Sequence, residues 1–152
     1  MSETMIVEPP SPEAVAAFRR HLSLGQKVAL ALEIIGTYVR ARVWLRRNEL
    51  RDTVRTLRAA GPPARTPDGD QLLTGIRLGR IVGKTLGVLP ADSRCLVRSL
   101  VLTSLLVRRG IASTLIIGVQ PEPSFKAHAW VECAGTPLLP PGDEPYGRLV
   151  EL

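Results

Sequence analysis

Read from the amino terminus, apolar positions first fall at helical spacing. Ser11-Pro12-Glu13 has the make-up of a helix start, with a capping hydroxyl, a proline in the first turn and an acid near the positive end of the dipole. It predicts a short helix to about His21. Ser23 or Gln26 opens a longer one. Val28, Leu32, Ile35, Val39, Val43 and Arg46 follow at steps of three and four, with Leu24, Ala31 and Tyr38 beside them, and give a wide apolar face. This helix either breaks near Asn48 or runs on to Ala60, where Gly61-Pro62-Pro63 ends it. A third helical pattern begins at Asp70 with Leu72, Leu73, Ile76, Ile81, Val82 and Leu86, and Pro90 stops it. A fourth helix is predicted over 95–109, capped by Asp92 or Ser93 and closed by Gly110. Apolar residues cover most of its circumference, the mark of a buried central helix.

The period then changes from helix to strand. Ile111 to Val119 is rich in β-branched residues, Gln120 to Ser124 is a loop, and Phe125 to Cys133 is a second strand. Ala134-Gly135 is the turn into a short third strand, Thr136 to Leu139, which Pro140-Pro141-Gly142 cuts off. Tyr146 to Leu152 has the pattern of a last edge strand. Helices followed by an antiparallel sheet define an α+β fold. The natural internal boundary is the loop 62–69. It divides an N-terminal helical segment, 1–61, from a part carrying the candidate chemistry, 70–152. No internal repeat stands out along the chain.

Composition narrows the choice of partners. The chain has 152 residues, 45% of them hydrophobic and only 4% aromatic, so its core must be built of Leu, Val, Ile and Ala. Its formal net charge is +6, and 17 of the 20 basic residues are arginine. Such a surface favours acidic partners. No basic block is interleaved with aromatics, so nucleic acid is not the expected partner. No signal peptide or membrane-spanning run is evident, so a cytoplasmic protein without stable membrane insertion is expected. Arg47, Arg51, Arg55 and Arg58 would share one face of a continuous helix, either as a solvated stripe or as a docking strip. Gly75, Gly79, Gly83 and Gly87 recur every fourth residue. Each costs ~1 kcal/mol against alanine in a helix, which close approach of another backbone would offset.

The candidate chemistry lies between Asp92 and Trp130. Cys95 falls at a helix start, where free N–H groups and the dipole stabilise a thiolate and where an oxyanion can be held. Arg94 and Arg98 add positive charge. His128 lies on a strand and would act as general base. Strand parity sets His128, Trp130 and Glu132 on one face and Ala127, Ala129, Val131 and Cys133 on the other. Cys133 therefore reads as packing. A cysteine on an apolar helix and a lone strand histidine are also common as plain core residues. Cys95, His128, Cys133 and His21 lack the paired short spacing of a zinc site, so no metal or other cofactor is expected.

These residues resemble a family. Arg94-Cys95-Leu96-Val97-Arg98-Ser99-Leu100, Arg108-Arg109-Gly110-Ile111, Ile117-Gly118-Val119 and Ala127-His128-Ala129-Trp130-Val131-Glu132 are similar to the leader peptidases of bacterial lasso-peptide biosynthesis. That family includes the microcin-processing proteins and is transglutaminase-like in fold. The resemblance implies a transglutaminase/papain-like core over 70–152, with a central helix on a small antiparallel sheet. It implies a cysteine protease that removes the leader from a ribosomally made precursor peptide, with Cys95 as nucleophile and His128 as base. It also implies a separate small leader-binding protein and an ATP-dependent, asparagine-synthetase-like lasso cyclase as partners. Arg94, Arg98 and Trp130 are candidate contacts for substrate or partner. The family places an aspartate on the strand after the histidine, but that position here is Pro140. The nearest acid is Asp143, then Glu144. Either a shifted hairpin returns Asp143 to His128, or a carbonyl or water orients the imidazole. The rival readings are acyl transfer or amide hydrolysis on another substrate, and a non-catalytic peptide-binding scaffold.

Overall fold

In the computed structural model, which describes residues 7–88, 94–121, 125–142 and 146–152, five helices precede four strands. The first helix, α1, spans Pro12–Arg19, and Ser11 accepts a hydrogen bond from the Ala14 amide at its start. The Ser11 amide and hydroxyl also donate to the two carboxylate oxygens of Asp70, 2.7 and 2.9 Å away. At the other end, the Arg77 guanidinium donates to the carbonyls of Ala17 and Arg20, and the first of these also accepts from the Arg20 amide. Both clamps fix α1 to α4 (Gly69–Gly87). The cap of α4 is Asp68, whose side chain accepts from the Gln71 amide. Asp70, the expected start, holds α1 instead.

Helix α2, Leu24–Arg47, opens on a full capping box between Ser23 and Gln26. It stops at Asn48, and α3 (Leu50–Ala59) follows at once. The expected arginine strip is therefore broken. Arg47 ends one helix while Arg51, Arg55 and Arg58 ride the next, Arg55 pairs with Asp52, and Arg58 donates to the carbonyls of Ser113 and Leu152. The wide apolar face of α2 is also not the face it buries. The helix seats Ile34, Thr37 and Ala41 in the interior, and Leu24, Val28, Leu32, Ile35, Val39 and Val43 stand exposed.

Helix α5, Arg94–Arg108, is the centre of the molecule, with Ser99 to Val107 buried in an unbroken run. The expected caps Asp92 and Ser93 lie outside the described residues. Gly110, at φ +68°, ends the helix and turns the chain into the sheet. Glu33 of α2 receives Arg108 and Arg109 at 3.4 and 3.0 Å, tying α2 to the end of α5. Burial works against the ionised carboxyl. The hydrogen bond and charge of Arg109, with those of Arg108, outweigh it and hold Glu33 below the usual carboxylate range.

The strands are β1 (Thr114–Gln120), β2 (Lys126–Cys133), β3 (Thr136–Pro137) and β4 (Gly147–Glu151), in the order β3-β2-β1-β4 and antiparallel throughout. Ala134 and Gly135, at φ 48° and 76°, form the tight β2–β3 turn, whose twist requires positive φ at both positions. Leu138 N donates to Val131 O and carries the third strand one pair further. One hydrophobic core draws Ile34, Ala41, Val54 and Leu57 from the first 61 residues, together with α4, α5 and the sheet. Among the described residues no helix is long and apolar enough to cross a membrane.

Candidate active site

Helix α5 packs on β2. Cys95 lies in the first turn of α5 and His128 near the start of β2. A cleft of about 610 Å³ brings together a neighbour of the first and the partner of the second. Gly79, Gly83 and Lys84 of α4, Arg98 of α5 and the segment Pro137–Pro141 line it. Arg98 lies one turn after Cys95, and the Pro140 carbonyl is the partner of His128. Cys95 is a half-buried free thiol, and Arg94 is the residue that begins the helix. The Arg98 Nε is buried and has no hydrogen-bond partner among the described residues.

The imidazole is held from three sides. His128 Nε2 lies 2.9 Å from Pro140 O. A carbonyl only accepts, so Nε2 carries the proton and Nδ1 of the neutral ring is left as the basic nitrogen. The ring stacks on Trp130, with centroids 6.0 Å apart and planes 19° apart, and lies 5.3 Å from the Tyr146 ring. This collar depends on Gly118, which pairs with His128 across the ladder. A Cβ there would come within 2.8 Å of Tyr146 Cβ and 2.9 Å of the Trp130 ring. The glycine in the Ile117-Gly118-Val119 motif thus makes room for the aromatic side chains that hold the imidazole.

Trp130 is buried, and its indole N–H donates to Glu132 Oε1 at 2.9 Å. Arg148 holds both oxygens of the same carboxylate at 2.9 Å and reaches Glu151 as well. Trp130, the candidate contact for substrate or partner, stacks on the imidazole and is braced by Glu132, which Arg148 holds. Asp143, the candidate third member, lies outside the described residues. Cys133 is fully buried, and burial pushes its thiol up to about 11, so it stays protonated and inert near neutral pH. Among the described residues no group of His, Cys, Asp and Glu is arranged to hold a metal ion.

Sequence reasoning did not find the roles of Tyr146 and Gly118, nor the choice of Pro140 as acceptor. The run Pro140-Pro141-Gly142 was the available signal. Prolines fix φ, and Gly142, at φ +95°, has no room for a Cβ beside Tyr146.

No curated protein and no solved structure matches the chain. A sequence profile of the transglutaminase-like superfamily matches residues 35–151, from the middle of α2 through β4. With its central helix, its antiparallel sheet and most of its length within that profile, the chain belongs to the transglutaminase-like superfamily, which includes cysteine peptidases.

Proposed function

We propose that the protein is a cysteine peptidase that removes the leader from a ribosomally synthesised lasso-peptide precursor, with Cys95 as nucleophile and His128 as general base. The observation that carries this reading is the hydrogen bond between His128 Nε2 and the Pro140 carbonyl. It fixes the ring in the tautomer whose Nδ1 can accept a thiol proton. The place of Cys95 in the first turn of α5 supports the same reading, since unpaired N–H groups there can meet a thiolate and then an oxyanion.

In the reaction, Nδ1 takes the proton from Cys95 Sγ, and the sulfur attacks the carbonyl carbon of the last leader residue. The resulting oxyanion meets the N–H groups of the first turn of α5. The C–N bond breaks as Nδ1 returns the proton to the departing amine, which frees the core peptide. Water then attacks the thioester, giving its proton to Nδ1, and the leader leaves as a carboxylic acid. Arg98, a cation of the cleft wall one turn after Cys95, is suited to a carbonyl of the bound peptide. In this scheme a leader-binding protein presents the precursor, and a lasso cyclase consumes the freed amine.

The test is mass spectrometry of a lasso precursor incubated with the protein and a leader-binding protein. The expected products are two fragments whose masses add up to the precursor plus one water. Cys95→Ala and His128→Ala should each leave the precursor intact. Normal cleavage by either variant would end the peptidase reading, and capture of the leader by an added amine in place of water would make the protein an acyltransferase.

A further inference from the structure

The exposed apolar face of α2 departs from an ordinary soluble surface. Leu24 is 79% exposed, Leu32 65% and Val39 54%, with Val28 and Ile35 between them and Val43 one turn beyond on the same face. The face lies opposite Ile34, Thr37 and Ala41, which meet the core. A contiguous patch of this kind marks an interaction surface. It is also regular. Leu24 and Ile35, Gly25 and Gly36, Val28 and Val39, and Leu32 and Val43 are each 11 residues apart. An 11-residue period matches a nearly straight helix, so the stripe keeps its bearing along the length of α2, about 36 Å. A Cβ at Gly25 or Gly36 would meet nothing within 4 Å, so each glycine leaves a recess beside the stripe.

Charge identifies the occupant. On one flank, Lys27, Leu30 and Ala31 form a wall of a cavity of about 540 Å³ between α1, α2 and α4. Six cationic side chains line it, Arg19, Arg20, Lys27, Arg77, Arg80 and Lys84, and no carboxylate does. Arg40 and Arg47 stand exposed on the other flank. Glu33, the sole acid of the helix, is held by Arg108 and Arg109. A second copy of this chain would bring cation against cation. A bilayer surface would leave the concave cavity and the two recesses unfilled, and Tyr38, the aromatic beside the stripe, is half-buried and held by Arg42 rather than free to anchor in an interface.

We infer that α2 is the docking site for an amphipathic helix of a partner protein, one whose apolar face is bordered by carboxylates. The apolar face lies on the stripe with side chains seated at Gly25 and Gly36, and one row of carboxylates reaches the cationic cavity. This surface does not depend on what Cys95 does.

The probe is a synthetic amphipathic helix of about 20 residues, enough to cover about 30 Å, with leucines on one face and glutamates beside them. The control carries lysine at every glutamate. Titration by fluorescence anisotropy should show binding of the glutamate peptide that weakens with salt, and at least ~10-fold weaker binding of the control, a difference of about 1.4 kcal/mol. Val28→Glu with Val39→Glu should weaken the glutamate peptide at least ~10-fold, with an unchanged circular dichroism spectrum and an unchanged rate of Cys95 alkylation. Lys27→Glu should weaken it and reduce the salt dependence. Equal binding of both peptides, or of neither, overturns the inference. So does self-association in sedimentation, or binding to vesicles of phosphatidylglycerol and phosphatidylcholine, that the Val28→Glu, Val39→Glu pair abolishes.

Discussion

Two glycines one turn apart on α4 should respond unequally to the same substitution. A Cβ at Gly83 would meet nothing within 4 Å, whereas a Cβ at Gly79 would overlap the Leu138 carbonyl oxygen and come within 3.0 Å of its carbon. The backbone at Leu138 cannot yield as a side-chain tip can, because its N–H is bonded to Val131 O at 2.8 Å. Replacing glycine by alanine inside a helix stabilises by ~1 kcal/mol when nothing else changes. Gly83→Ala should gain up to that amount. Gly79→Ala gains the same propensity and loses ~1–3 kcal/mol to overpacking. The propensity gain cancels in the comparison, so the two variants should differ by ~1–3 kcal/mol, with Gly79→Ala the less stable. Urea unfolding followed by circular dichroism measures this from the two midpoints, given equal m values. Gly79→Ala as stable as Gly83→Ala would refute the idea that the segment carrying Pro140 is seated on the α4 backbone.

Other expectations follow from the same structure. Iodoacetamide at about pH 7.5 should label Cys95 in the folded protein and leave Cys133 unmodified until urea is added, because Cys133 is buried and its thiol is pushed up to about 11. Peptide mapping reads both sites, and equal labelling of the folded protein would contradict the packing described for β2. The Glu33 carboxyl titrates lower in the folded chain than in the unfolded one, so its contribution is complete above the unfolded pKa and is lost as pH falls through the folded value. Glu33→Gln should therefore lower the urea midpoint at neutral pH and remove part of its fall as pH drops through and below the usual carboxylate range; an unchanged neutral midpoint would mean the arginine clamp contributes nothing. Gly118→Val should destabilise the fold by ~1–3 kcal/mol and shift Trp fluorescence, since the new side chain must displace Trp130 or Tyr146.

Much of this architecture could be read from residue order. The Ser11 and Ser23 caps, the all-round apolar pattern of α5 and the change of period at Thr114 are local signals, and local physics decided them. What failed was the assignment of faces. On α2 both sides are apolar, and the six large residues that dominate the pattern are those left outside, while smaller ones such as Thr37 and Ala41 pack inward. Periodicity finds a stripe but does not say what lies against it. The glycine ridge of α4 shows the same limit: regular in sequence, it divides in space, with Gly75 and Gly79 against Leu138 and Gly83 open at the cleft. At the site, Cys95 and His128 stood out by residue type. The acceptor for His128 did not, because a backbone carbonyl has no letter of its own.

That acceptor changes what the scaffold supplies to the imidazole. A carboxylate beside an imidazole both fixes its tautomer and balances the charge it acquires, whereas the Pro140 carbonyl fixes the tautomer but offers only a dipole. Nε2 carries one hydrogen, so any acid approaching it must compete with a bond already made at 2.9 Å. The rest of the setting is correspondingly rigid. Trp130 and Tyr146 hold the ring, Glu132 and Arg148 brace Trp130, and Gly79 seats the segment that presents the carbonyl. Orientation is thus the main thing this scaffold gives His128. In the proposed reaction, stabilisation of charge would fall to the other half of the site, the first turn of α5 that carries Cys95. Variants that loosen the collar should therefore harm the chemistry more than their cost in stability would suggest.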